Sequence, residues 1–278
     1  MGPIGTIILT TAIAGVLGTG VGGLIGALLQ KDSNRIVSLL LSFAGGVMLS
    51  VVCFDLVMEA IETNTGIWSV IGSIVFGVTV TFGLNYLIDR KTSPEIPHID
   101  ENHPKTHDDL DELIHSDHLE HHAGQNDRFS LFVAGIVMAC AIALHNVPEG
   151  MTIGASYASN NGVLGSAALI LAVIIGLHNI PEGMAVSVPL ISGGMKKAKA
   201  VLITAASGIP TILGALLGYA LGEIGPLGLT ISLGFASGAM LYVVFGEILP
   251  QSILMYHSKL PAFSAIVGIL AGLLIIFL

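Results

Sequence analysis

His145-Asn146-Val147-Pro148-Glu149-Gly150 returns, one short segment later, as His178-Asn179-Ile180-Pro181-Glu182-Gly183. On a helix, residues four apart share a face, so His145 with Glu149 and His178 with Glu182 each present an imidazole and a carboxylate together. Pro148 and Pro181 cannot donate to the carbonyls of Leu144 and Leu177, which predicts a kink beside each pair. Asn146 and Asn179 add two side-chain carbonyl oxygens. Imidazole plus carboxylate is a ligand set for Zn²⁺, Fe²⁺, Mn²⁺ or Co²⁺, and a poor one for Na⁺ or K⁺. A lone buried histidine is more often a satisfied structural residue; a duplicated His/Asn/Pro/Glu cluster is hard to explain that way.

The elements that must hold these groups are membrane helices. The 278 residues are 53% hydrophobic and only 10% charged, with a mean hydropathy of +0.86. That composition excludes an ordinary soluble enzyme and a disordered chain. A net charge of −9 with Lys+Arg of 10 argues against a nucleic-acid partner. Cys53 and Cys140 sit in apolar stretches and form no disulfide framework. A bilayer core needs about 20 apolar residues per helix. Stretches free of Asp, Glu, Lys and Arg then give eight spans: one within residues 1–30, then 36–54, 63–88, 129 to about 157, 163 to about 190, 200–222, 224–246 and 260–278. The first stretch lacks a basic leader and is too long for a signal peptide's apolar core. The expected class is all-α: a polytopic protein in contact with the lipid bilayer, with both motifs near the middle of spans four and five. Ionisable groups there mark an ion path.

Eight spans put every basic residue on one side: Lys31, Arg35, Arg90, Lys91, Lys105, Arg128, Lys196, Lys197, Lys199 and Lys259. The positive-inside rule makes that side cytoplasmic and both termini extracytoplasmic. The organisation is then residues 1–90 for spans one to three, 91–128 for a cytoplasmic loop, 129–191 for spans four and five, and 192–278 for spans six to eight. The loop holds ten acidic residues, three basic ones and seven histidines, among them His98, His115 and His122. Its composition fits either a solvated linker or a weak metal-collecting tract.

A second repeat pairs GGVMLSVVCFDLVMEAI, from Gly45, with SGAMLYVVFGEILPQSI, from Ser237. Met48 matches Met240 and Asp55 matches Glu247. Spans two and seven run in opposite directions, so the matched units are inverted, as in transporters whose site lies at the repeat interface. Asp55 and Glu59 belong to the outer end of span two and Glu247 to the inner end of span seven, one acidic step on each side of the centre. Met48 lies deeper and could add a thioether.

The doubled HNxPEG, the eight spans and the His-rich loop between spans three and four resemble the ZIP (Zrt/Irt-like) family of divalent metal transporters, in particular its prokaryotic ZupT- and GufA-like members. The resemblance implies a 3+2+3 inverted-repeat bundle with a one- or two-metal centre between spans four and five. It puts His145, Glu149, His178 and Glu182 at a first metal position. Asn146 and Asn179 fall at a second, bridged by the two glutamates, and Met48 lies where a further ligand can arise. It further implies import into the cytoplasm across the plasma membrane, zinc first among iron, manganese, cobalt and cadmium, by a chain that often dimerises. The metal is the substrate, and no organic cofactor is expected. Two positions depart from the pattern. Thr211 follows Ser207-Gly208-Ile209-Pro210 where many members carry a glutamate, and Gly246 precedes Glu247 where a polar residue is common. The same ligands could instead serve an intramembrane metalloenzyme or a metal exporter. An enzyme would want a separate general base and usually an HExxH pairing, and neither is evident.

Overall fold

A bilayer offers no water to backbone N–H and C=O groups, so a spanning chain must satisfy them within helices. The structure, a computed structural model, describes residues 2–28, 34–92, 127–159 and 166–277. Among these residues eight helices are long and apolar enough to cross a membrane: α1 Pro3–Leu28, α2 Arg35–Glu62, α3 Ile67–Leu87, α4 Gly135–Ser159, α5 Ala168–Ser192, α6 Lys197–Glu223, α7 Pro226–Met255 and α8 Leu260–Phe277. No strand occurs among the described residues. Hydroxyls inside the helices bond back to carbonyls of the preceding turn, as Thr11 does to Ile7 (2.7 Å) and Ser237 to Leu233 (2.8 Å). The His-rich tract falls outside the described residues.

Three local features of the helices matter, the first two being departures from expectation. First, α2 and α7 extend well beyond the expected 36–54 and 224–246. A rule that ends a span at the first charge stops at Asp55 and at Glu247, whereas both helices carry their carboxylate inside the span. Second, α6 is interrupted: Lys197–Ser207 and Pro210–Glu223 are joined through Gly208 and Ile209. Pro210 lacks the N–H that would continue the first segment. Third, α4 and α5 stay helical through Pro148 and Pro181, so these prolines remove a donor without ending either helix.

Wider π-turns occur at Ala12–Leu17 in α1, Val52–Leu56 in α2 and Val244–Ile248 in α7. The last two occupy matching positions of the sequence repeat, and they hold Asp55 and Glu247 respectively. A π-turn is rare and frequently marks a functional site. Finding it twice at equivalent positions makes chance similarity of two Gly-rich segments untenable.

The helices pack in pairs that the inverted repeat relates. Gly22 of α1 meets the Ile180 carbonyl of α5, as Gly214 of α6 meets that of Val147 in α4. Gly183 meets the Thr19 carbonyl, and Gly150 that of Thr211. Likewise Gly46 of α2 meets the Ala265 carbonyl of α8, and Gly238 of α7 that of Ile74 in α3. Lipid is as apolar as leucine, so association rests on such close approach rather than on expelling water. The outcome is two groups, α1/α4/α5/α6 and α2/α3/α7/α8, with the two motifs on the helices central to the first.

A methyl group at Gly46 would lie 2.0 Å from the Ala265 carbonyl oxygen, whereas nothing lies within 4 Å of one at Gly72. Gly46→Ala should therefore destabilise the purified protein by about 1–3 kcal/mol, the usual range for overpacking. Gly72→Ala, an equal chemical change on α3, should not. Thermal midpoints of the two variants in detergent check this; equal midpoints would refute the packing account.

Candidate metal centre

All six polar residues of the two motifs are buried, at 3% exposure or less, between α4 and α5. Pairing is reciprocal and crosses the helix interface. His145 Nε2 lies 3.0 Å from Glu182 Oε2, and His178 Nε2 lies 2.9 Å from Glu149 Oε1. Within one motif His145 Nε2 and Glu149 Oε1 are 4.0 Å apart. The sequence places each histidine with the glutamate of its own motif; the structure brings each still closer to the glutamate of the other. The reason is helix geometry. The i, i+4 residues share a face, and when two such faces meet antiparallel, each end of one opposes the other end of its partner.

Donor atoms of His145, Glu149 and Glu182 all lie within 4.8 Å of one another. Ligands held about 2.1 Å from a tetrahedral ion are separated by roughly 3.4 Å. The separations of 3.0 and 4.0 Å from His145 Nε2 to Glu182 and Glu149 lie on either side of that value.

The asparagines are fixed by their nitrogens. Asn146 Nδ2 donates to the Ser207 carbonyl at 2.8 Å and Asn179 Nδ2 to that of Ala14 at 3.1 Å. Both carbonyls belong to irregular stretches, the interruption of α6 and the π-turn of α1. Helix irregularity thus supplies the acceptors for both amide nitrogens. Among the described residues Asn146 Oδ1, Asn179 Oδ1, Glu149 Oε2 and Glu182 Oε1 have no hydrogen-bond partner. A buried unpaired polar atom costs about 1–3 kcal/mol. Buried acceptor oxygens left without a donor are the kind of group a cation satisfies.

The other expected residues sit on α2 and α7. Met48 is fully buried in the main apolar cluster with Val51, Val52 and Met240. Asp55 is half-buried in the π-turn of α2, and Glu59 is half-buried next to the Ser159 hydroxyl at the end of α4. Glu247 accepts a hydrogen bond from Asn85 Nδ2 of α3 at 2.7 Å. A cavity of about 100 Å³ reaches from His145 and Pro148 to Asn85 and Glu247. A cavity of about 70 Å³ on the related face touches His178 and Pro181, and its remaining walls, such as Ala44 and Val47, are apolar. Thr211 is fully buried against Gly15 and Gly150, and its hydroxyl has no partner among the described residues. Asn85 belongs to no sequence motif, and its one signal is that it is the single amide of its span. The break at Gly208-Ile209-Pro210 was also readable, and the π-turns were not.

A family model described as ZIP zinc transporter matches residues 88–278. The zinc transporter ZupT of Chlorobium chlorochromatii is 34% identical over 248 residues, covering 87% of this chain and 85% of its own. ZupT of Campylobacter jejuni is 33% identical over 287 residues, with 97% and 94% covered. The zinc transporter ZIPB of Bordetella bronchiseptica is 32% identical over 259 residues, with 93% and 75% covered.

His178 is paired with a motif glutamate, whereas Met48 is packed in the main apolar cluster. His178→Ala should weaken Zn²⁺ binding by about ten- to a hundredfold, the scale of losing a group that holds or orients a ligand. Met48→Leu, a volume-conserving change in an apolar cluster, should leave binding within about twofold. Equilibrium dialysis with metal analysis on purified protein decides it, and a comparable loss in both variants would contradict the assignment.

Proposed function

We propose that this chain, which belongs to the ZIP family of zinc transporters, carries divalent cations across a lipid bilayer through the paired His–Glu centre of α4 and α5. As a family member it is a multi-pass transport protein and not an enzyme. The observation that carries the reading is the reciprocal pairing at 3.0 and 2.9 Å, fully buried, with the second oxygen of each glutamate unpartnered among the described residues. A divalent ion entering a dry site must lose most of its hydration, and carboxylates with imidazoles replace that shell. Glu149 and Glu182 supply two negative charges, which balance one divalent ion.

Zinc is the substrate the relatives' names support, with iron, manganese, cobalt and cadmium compatible with the same ligands. The distribution of Lys and Arg supports a plasma-membrane topology with the α3–α4 connection in the cytoplasm and both termini outside. In that orientation an ion passes Asp55 on the outer side, binds at the centre and leaves by the cavity that reaches Glu247. A potential negative inside favours entry of a 2+ ion by about 4.6 kcal/mol per 100 mV, twice the single-charge value.

Two experiments follow. Glu149→Ala or Glu182→Ala removes one of two balancing charges and leaves the opposing imidazole without its acceptor. Uptake of isotopic zinc into cells should fall by at least about a hundredfold at equal expression, the consequence of several kcal/mol of uncompensated burial. Near-normal flux in either variant would overturn the site assignment. Metal stoichiometry tests the other point. Thr211 offers a neutral hydroxyl where a carboxylate would offset a second cation, so purified protein should hold one ion tightly. Thr211→Glu should raise the number held, and two tightly held ions in the unaltered chain, counted without the His-rich tract, would refute this.

A further inference from the structure

Asn85 belongs to neither HNxPEG copy, and the fold does not demand an amide at that position. Near the end of α3 its Nδ2 donates to Glu247 Oε1 at 2.7 Å, with the Tyr242 hydroxyl oxygen at 3.5 Å. The Tyr242 ring lies where a side chain at residue 246 would go: a Cβ on Gly246 would sit 3.3 Å from it. Phe82 of α3 holds the same ring edge-on, with centroids 5.9 Å apart. Asn85, Glu247 and His145 line one cavity.

The inverted repeat provides an internal control. Gly77 and Gly268 make equivalent contacts with the Phe235 and Phe43 carbonyls, which aligns Asn85 with Ile276. The match of Asp55 with Glu247 similarly aligns Ser50 with Tyr242 and Phe54 with Gly246. The repeat therefore keeps a carboxylate in both π-turns but surrounds only one with this polar set. Among the described residues no side chain hydrogen-bonds to Asp55. Ile276, at the equivalent of Asn85, packs against the apolar cluster. Packing is satisfied by isoleucine in one half, so the amide in the other half answers to Glu247.

We propose that Asn85 is a positioning residue for cation passage between His145 and Glu247. The inference rests on reading the α4–α5 centre as the transport site. A carboxylate on an open cavity wall can swing between rotamers or fold onto the nearest imidazole. An amide N–H fixes one oxygen by a hydrogen bond to a charged acceptor and adds no charge of its own. Lysine or arginine at that place would hold the carboxylate equally well and cancel its attraction for a cation. Asn85 thus leaves Glu247 an anion of fixed position on the wall of the cavity that His145 also lines, and the role is kinetic: it speeds departure from the centre without contributing a ligand there.

The test uses the full chain in liposomes, with initial Zn²⁺ uptake measured against Zn²⁺ concentration. The variants are Asn85→Ile, which installs the residue of the other repeat, Glu247→Gln, and the two combined. Asn85→Ile should lower the maximal rate about tenfold, the scale of one hydrogen bond to a charged group. Half-saturating Zn²⁺ and zinc bound per purified chain should stay within about twofold, because the central ligands are untouched. In the Glu247→Gln background the same change should cost little more, since the two residues act as one unit. An unaltered rate in Asn85→Ile overturns the proposal. So does an equal loss in both backgrounds, or a parallel fall in bound zinc, each of which assigns Asn85 to folding. Absence of Zn²⁺ flux in vesicles of the unaltered chain overturns the transport reading itself, and this inference with it.

Discussion

Two glutamates buried side by side inside a membrane are the constraint on which the rest of the molecule depends. An isolated carboxylate in such a place costs several kcal/mol even after relaxation, and two near one another repel as well. The chain resolves this with the imidazole of the opposite helix, so that each glutamate is held by a histidine it does not share a motif with. That exchange fixes the rotation and the relative height of α4 and α5. Slide one helix by a residue and both pairs are lost together. The pairing also keeps donors at ligand-like separations, so the groups that stabilise one another are already arranged around a place for a cation.

Holding α4 and α5 in that register falls to helices that carry little chemistry of their own. Glycine at Gly22, Gly150, Gly183 and Gly214 brings backbones so close that carbonyls rest on Cα atoms. The irregular turns of α1 and α6 then stand beside the motifs and offer carbonyls to Asn146 and Asn179. A regular helix would have consumed the acceptor of each turn internally. The high glycine content is thus tied to the centre: it lets the α1 and α6 backbones come near enough to serve as the second layer around the ligands.

Much of this was legible in the sequence, for physical reasons that differ between features. The eight spans follow from the thickness of the bilayer and the absence of any solvent for backbone groups, which makes length and apolarity sufficient. The candidate residues follow from the doubled motif, since His145 to Glu149 recurs at His178 to Glu182. Cross-pairing was not legible, because it depends on how two faces meet and not on spacing within either. Charge is a poor guide to the ends of α2 and α7, because Asp55 and Glu247 sit inside these spans on π-turns. Those turns depend on insertion of one residue into a helical ladder, which leaves no mark in hydropathy. Asn85 becomes informative only when its partner on another helix is known.

The inverted repeat explains the architecture more fully than it explains the chemistry. Helix pairing obeys it closely: α1 lies on α5 as α6 lies on α4, and α2 lies on α8 as α7 lies on α3. Thr19 and Thr211 obey it too, each with its carbonyl against a motif glycine. The symmetry fails where a directional process would require it to fail. One carboxylate of the related pair, Glu247, faces a cavity that includes His145 and is held by an amide. The cavity beside His178 is smaller and, that histidine apart, apolar. A fold built from two inverted halves has no intrinsic preference for either side of the membrane. Any preference must come from residues that differ between the halves, and the set around Glu247, namely Asn85, Tyr242 and Gly246, is a cluster of such differences beside the centre.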